Sequence, residues 1–365
     1  NTGFAGVETM PADSQVRQGF DTLTSEFSAG RISPVLFAIE GDRETAQPGI
    51  DALIASLATE TVPDGDATRP AFLPIDAATA VRWNGAGDVA VLEATLNISS
   101  NEERAYTEIK RLRSDIVPAA FAGTGAEVYV SGDTAFNQDF FDQVSTYTPY
   151  VLAFVLGLSF LLLLLAFRSI VVSAKAIVMN LLSVGAAYGL LVLVFQKGIG
   201  DNVLGFQQTP TIEAWIPIFL FCVLFGLSMD YHVFLLSRIR EHYDLTGNNT
   251  ESVAVGLHST ARIITGAALI MVAVFGGFAA GRLVMFQQMG FGLGVAVLLD
   301  ATIVRSILVP SAMALLGDRN WYMPRWLAWV PDLRIEGTPA PAPRPVTSTE
   351  GMAMGSSAGG GAGDN

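Results

Sequence analysis

Pro149-Tyr-Val-Leu-Ala-Phe-Val-Leu-Gly-Leu-Ser-Phe-Leu-Leu-Leu-Leu-Leu-Ala-Phe167 is a run of nineteen residues without one charge. As a helix it reaches about 28 Å at 1.5 Å per residue, close to the roughly 30 Å of a bilayer's hydrocarbon layer. A buried helix of a water-soluble protein is shorter or more amphipathic. Four more apolar runs follow, at 175–195, 215–236, 263–280 and 290–316. Together they predict a membrane α-helical bundle of five spans over 149–318. Pro149 and Pro217 fall in predicted first turns, where a missing N–H costs little. Trp215, Trp321 and Trp326 fall near predicted interfaces, where an amphipathic ring is at home.

Working outward, the segment before the first run has a different chemistry. The chain is 51% hydrophobic and only 15% charged, against roughly 25% charged in a typical soluble domain. The deficit is local. Residues 1–148 hold 22 of the 34 Asp/Glu and 9 of the 21 Lys/Arg, so the net charge of −13 sits there; the remainder holds 12 of each sign. An acidic domain is a poor partner for nucleic acid, whose phosphates need Lys and Arg. Its pattern reads as α+β. Asp13 or Ser14 can cap a helix carrying Val16, Phe20, Leu23 and Phe27 at helical spacing. Strands are predicted at Pro34–Ile39, Ala71–Ile75, Val89–Leu96 and Glu127–Val130, and helices at Ile50–Leu57 and Asn101–Ile116. The order after the first helix is β-α-β-β-α-β, which suits a split βαβ sandwich with its helices on one face, a ferredoxin-like arrangement.

Loop charge sets the orientation. Arg168, Lys175, Arg238, Arg240, Arg262, Arg319 and Arg325 flank the ends after spans one and three and the C-terminal end. Only Lys197 and Arg282 lie after spans two and four. The richer side is cytoplasmic, so the domain at 1–148 is expected outside the membrane and the C terminus inside. The flank at 319–336 is then cytoplasmic. The tail at 337–365, rich in Pro and then in Gly and Ser, is expected to be disordered. The chain starts at Asn1 with no visible secretory signal. An exported domain then implies a preceding membrane helix, and the chain reads as a fragment. Cys222 is the lone cysteine, so no intrachain disulfide forms. His232, His242 and His258 do not stand at ligand spacing with one another or with it, and no metal site is expected.

Charges inside the spans carry the chemistry. Asp230 lies in the third span, within Gly226-Leu-Ser-Met-Asp-Tyr231. An ionised carboxylate there costs several kcal/mol unless paired or hydrated. A carboxyl so placed can load a proton from one side and release it to the other. Tyr231 adds a hydroxyl that can donate to it. A structural Asp bonded to a neighbouring helix is the plainer alternative. Asp300 and Arg305 lie in the fifth span, five residues apart and on poorly matched helical faces. They read as charge balance or as relay members, with Arg305 free to snorkel. Ser228, Thr265 and Thr302 are candidate hydroxyl partners. Gly185, Gly189, Gly266, Gly290, Gly292 and Gly294 permit close helix approach.

The run Gly226-Leu-Ser-Met-Asp-Tyr-His-Val-Phe-Leu-Leu-Ser-Arg-Ile-Arg-Glu-His-Tyr243 resembles the signature span of MMPL transporters, within the resistance-nodulation-division superfamily. Leu298-Leu-Asp-Ala-Thr-Ile-Val-Arg305, with Pro310 and Leu315-Leu-Gly-Asp-Arg-Asn-Trp-Tyr-Met-Pro324, resembles the end of the same proteins. The likeness covers about Ser14 to Gly337 and implies the second half of a twelve-span protein, with 1–148 as its second porter domain. It implies a proton relay at Asp230 and Tyr231, with Ser228, Asp300 and Arg305 as relay or charge-balance partners. Where the family often has an acid after the Tyr, this chain has His232, a possible extra titrating group or a variable neighbour. The implied function is proton-motive-force-driven export of lipids or other amphipathic molecules across the cytoplasmic membrane. It implies no enzyme activity and no cofactor. No Gly-x-x-x-x-Gly-Lys-Ser/Thr loop for ATP occurs. The implied partners are a hydrophobic substrate, protons, membrane lipids, the N-terminal half and possible further copies. A protein-export motor, or a sterol-sensing or scaffold protein, is the alternative reading.

Overall fold

The computed structural model describes residues 2–4, 6–27, 29–64, 67–200, 205–324, 327 and 329. The tail at 337–365, most of the flank at 319–336, and Trp326 with Arg325 lie outside the described residues.

The acidic segment forms β1 (Thr2–Gly3), α1 (Gln15–Glu26), β2 (Val35–Glu40), α2 (Arg43–Thr59), β3 (Thr61–Asp64), β4 (Ala67–Pro70), α3 (Ala77–Ala80), β5 (Val81–Trp83), β6 (Val89–Ala94), α4 (Glu103–Arg111), α5 (Val117–Ala120) and β7 (Glu127–Ser131). Its main sheet has the order β5-β6-β2-β7, antiparallel throughout. Period-two alternation buries Val35, Phe37 and Ile39 of β2 and Ala90, Leu92 and Ala94 of β6. Phe37 stands opposite Leu92 on one side and Val130 on the other. Ile50, Leu53 and Leu57 of α2 and Ala105, Ile109 and Leu112 after β6 join that core at helical spacing.

The expected strand at Ala71–Ile75 is not in this sheet. Pro74 has no N–H for a ladder, and the stretch keeps only the bridge Phe72↔Leu96. The second strand is instead β5, joined to β6 by Asn84-Gly-Ala-Gly-Asp88. There Asn84 Oδ1 accepts from the N–H groups of Gly87 (2.8 Å) and Asp88 (3.2 Å). The polar turn at Asn84–Asp88, rather than hydrophobicity, decides the pairing. Of the two candidate caps on α1, Ser14 accepts from Arg17 N at 3.2 Å. Asp13 instead pairs with Arg282, 2.5 Å away. The apolar stripe of α1 stays open, with Val16, Leu23 and Phe27 exposed.

Glu108 is an exception inside this core. It is 4% exposed, and its Oε1 has no hydrogen-bond partner among the described residues. Burial raises its pKa, the charge of Glu60 raises it further, and Arg111 opposes them. The penalty therefore grows as pH climbs from the ordinary carboxylate value to the raised folded value, and it is absent in acid. Glu108→Gln should stabilise the protein at neutral pH by about 1 kcal/mol, and the gain should vanish toward pH ~4. Thermal unfolding at several pH values checks this.

Among the described residues, five helices are long and apolar enough to cross a membrane: Asp133–Phe167, Ile170–Gln196, Ile216–Thr246, Asn249–Ala279 and Val284–Trp321. The first is 35 residues, or about 52 Å. It starts under the sheet, where Thr134, Ala135 and Gln138 are buried, and runs unbroken into the apolar stretch. Pro149 therefore lies inside this helix, not in its first turn as expected, whereas Pro217 does sit at the start of the third span. Tight turns join the spans at one end. Arg168 closes the first in a left-handed conformation (φ 48°), and Ser169 caps the second by accepting from Val172 N. Gly247 (φ 66°) closes the third and Asn248 caps the fourth.

The two ends of the bundle differ. At one end β1 pairs in parallel with β8 (Ile212–Glu213), Gln207 donates to the Glu8 carbonyl at 3.4 Å, and Arg282 meets Asp13. The connections after spans two and four thus lie beside the acidic segment. At the other end Tyr243 donates to Asp318 at 3.1 Å, the Arg240 guanidinium stacks 4.6 Å over Trp321, and Ser169 donates to the Asn320 carbonyl. Not all the small residues act alike. A Cβ on Gly290 would meet Ala279 N at 2.4 Å and Phe275 O at 2.5 Å, so spans four and five touch backbone to backbone there. Gly185, Gly189 and Gly266 face open space.

Candidate functional site

The fifth span carries the feature that builds the site. Between Asp300 and Leu308 its helix widens to π geometry, with i→i+5 hydrogen bonding. Residues five apart, badly matched on an α-helix, then stand one above the other. Arg305 Nη2 donates to Asp300 Oδ2 at 2.7 Å, so the two form a direct ion pair. Both are buried: Arg305 is 1% exposed and Asp300 6%. Arg305 does not snorkel.

Arg305 also crosses to the third span. Its Nη2 donates to the Ser228 carbonyl at 3.1 Å and lies 3.5 Å from His232 Nδ1. Its guanidinium carbon sits 5.1 Å from the Tyr231 ring centroid, within cation–π range. Ser228 Oγ then donates to Asn180 Oδ1 of the second span at 2.7 Å. Spans two, three and five are thus tied by one buried polar chain, Asn180–Ser228–Arg305–Asp300, with His232 inside it. Beside it lies a cleft with about 10 Å³ of space for the centre of a water, lined by Ser228, Tyr231, Asp300, Arg305 and Met271 among others. That is room for about one water molecule. Among the described residues, four atoms of the cluster lack a hydrogen-bond partner: Asn180 Nδ2, His232 Nε2, Asp300 Oδ1 and Arg305 Nε.

Asp230 points elsewhere. It is exposed, on the same outer face of the third span as Gly226. Successive helical residues turn about 100°, so Tyr231 swings inward while Asp230 stays on the outside of the five helices. The Tyr231 hydroxyl contacts Met271 Sδ at 3.9 Å. The structure therefore brings Tyr231, Ser228, Asp300 and Arg305 together and leaves Asp230 one helical step away. Thr265 and Thr302 are exposed and stand apart. His232, weighed as a variable neighbour, is 1% exposed and central. Asn180 was missed, although a single amide between Met179 and Leu181 in an apolar helix is a signal in itself. A second missed residue is Gln288, fully buried nearer the acidic segment. Its Oε1 accepts from Glu213 N at 3.0 Å and its Nε2 donates to Thr209 Oγ1 at 3.1 Å, which fixes the entry to span three against span five.

The sequence profile of the MMPL family matches residues 8–337. The chain is 37% identical over 317 residues to the mycolic acid-containing lipids exporter MmpL11 of Mycolicibacterium smegmatis, covering 86% of this chain and 32% of that protein. It is 33% identical over 325 residues to the trehalose monomycolate exporter MmpL3 of the same organism, covering 87% and 31%. It is 44% identical over 241 residues to a heme uptake protein MmpL11 of Mycobacterium tuberculosis, covering 66% and 24%. The chain thus spans about a third or less of the length of these relatives. With a profile match across most of its length, the chain belongs to the MMPL family.

Proposed function

We propose that this chain is the C-terminal half of a proton-motive-force-driven exporter of lipids or other amphipathic molecules across the cytoplasmic membrane. The observation that carries the reading is the charge inside the spans. A carboxyl at mid-span on an outer face, one residue from a buried Arg–Asp–His cluster, is costly in a bilayer. A static bundle has no need of it; a proton-driven machine does. Asp230 and Tyr231 are the relay, and Ser228, Asp300 and Arg305 hold Tyr231 and balance charge around it. The outer face bearing Asp230 is where the N-terminal half packs.

The acidic segment at 1–148 is a porter domain of ferredoxin-like kind, supported by its β-α-β-β-α-β order and the sheet order β5-β6-β2-β7. It lies outside the membrane with the C terminus in the cytoplasm, as the basic flanks at the opposite end favour. The first span runs as one helix from the bundle into this domain, so a shift in helix packing reaches the porter domain without a hinge. Transport needs no cofactor and no enzymatic step. Two relatives, an exporter of mycolic acid-containing lipids and one of trehalose monomycolate, point to mycolic lipids as substrate.

The reading is tested in cells expressing the intact protein and labelled with radioactive acetate. Arrival of labelled lipid at the surface should stop within minutes of adding a protonophore, at unchanged ATP. Undiminished arrival with the proton gradient collapsed would remove the driving force from the proposal. A passive sensor or scaffold would leave surface lipid unaffected by deleting the gene.

A further inference from the structure

We propose that His232 is itself a proton-carrying residue of the transport cycle, taking up a proton at Nε2 and thereby separating spans three and five. This rests on the transport reading above and names a group that it does not use.

The tautomer follows from geometry. His232 Nδ1 lies 3.2 Å from the Ser228 carbonyl oxygen. A lone pair aimed at a carbonyl oxygen repels it, so Nδ1 carries the hydrogen and donates. In a neutral imidazole the lone pair is then on Nε2. That atom is buried with no hydrogen-bond partner. A buried acceptor without a donor is under-satisfied, and the ligand that repairs it without adding bulk is a proton.

The charged groups reaching the ring are Arg305 and Asp300 of the fifth span and Lys175 of the second. Tyr231 and Asp230 flank it on its own helix. In the neutral state two cations, Arg305 and Lys175, face one anion, Asp300. Hydronium from the aqueous phase supplies the proton: an N–H bond forms at Nε2, water is left, and the ring becomes imidazolium. The imidazolium and Arg305 then stand 3.5 Å apart against one carboxylate. The repulsion falls on the contacts that Arg305 makes to the third span, the Ser228 carbonyl above all. Asp300 Oδ1 and Arg305 Nε, both unpartnered, leave the pair free to reorient. Loss of the proton to the other side restores the tie. The donor and acceptor sit on different spans, so a single proton changes helix packing.

The test has two arms. In the first, the intact protein carrying His242→Gln and His258→Gln is labelled with ¹⁵N-histidine in lipid vesicles, and the spectrum of the same protein with His232→Gln added is subtracted, so that the difference reports His232 alone. At neutral pH and above, the spectrum should show Nδ1–H with Nε2 bare. Stepwise acidification carried well below the ordinary imidazole range should convert it to the doubly protonated ring. An Nε2–H tautomer, or a signal unchanged across that range, overturns the proposal. In the second arm, surface-lipid export is measured against pH at matched membrane levels. His232→Gln should lose about tenfold or more and the acid limb of its pH profile, and His232→Glu, which can again hold a proton, should recover part of the rate. Near-normal export by the Gln variant with an unshifted pH profile also overturns it. If Asp230→Asn exports normally, the relay reading fails; the spectrum still reports on His232 by itself.

Discussion

Asp230→Asn should reduce export by about 100-fold or more while leaving the protein at normal levels in the membrane. The side chain is exposed in this chain and makes no contact within the buried cluster, so its exchange removes no packing among these five helices. Asp230 lies 14 residues after Ile216, or about 21 Å along a helix of 31 residues. It is therefore near the middle of the span. Asparagine keeps its size and its hydrogen-bonding atoms but cannot titrate. A purely structural residue tolerates that exchange; a proton carrier does not. Tyr231→Phe should also impair export but more mildly, since the ring keeps its place beneath Arg305 and only the hydroxyl is lost. The measurement is surface lipid per unit of membrane protein. Normal export by the Asn variant would leave Asp230 as a packing residue on an interface.

Arg305→Met should act on folding as strongly as Asp230→Asn acts on transport. Removing the guanidinium leaves the Asp300 carboxylate buried without its partner, and breaking one side of a buried pair costs about 3–5 kcal/mol. For a chain of this size that is a fall of roughly 5 °C in thermal midpoint. The Ser228 carbonyl loses its donor in the same stroke. The double variant Asp300→Leu, Arg305→Met removes both charges and should recover most of the lost stability. Arg305→Lys should not rescue fully, because an ammonium lacks the planar guanidinium that lies over the Tyr231 ring while its Nη2 donates to Asp300 and Ser228. Thermal unfolding of the purified protein in detergent checks the order Arg305→Met, then Arg305→Lys, then the double variant. If the single and double variants melt alike, the ion pair contributes nothing.

These two expectations come from different sources. The five spans, the acidic segment before them and the family likeness were all legible in the chain itself. Apolar runs long enough to cross hydrocarbon have few other uses, because every backbone polar group must be satisfied within the segment. Charge segregation and the Gly226–Tyr243 motif are equally local. The β-α-β-β-α-β order was readable too, except at Ala71–Ile75. There a proline inside an apolar stretch and a polar turn after Trp83 outweighed hydrophobicity.

What the linear sequence left open was direction and distance. Its positions say that Asp230, Tyr231, His232, Asp300 and Arg305 lie in spans. They do not say which face each presents, nor that the helix widens between Asp300 and Leu308. That widening turns a five-residue separation from a mismatch into an ion pair. Spans two, three and five must also pack before Asn180, Ser228 and Arg305 can meet, over sequence separations of 48 and 77. Periodicity along one helix carries no term for its neighbours. The composition of the site was therefore written in the sequence, whereas the pairing of its charges, the burial of His232 and the outward aim of Asp230 were decided by helix packing.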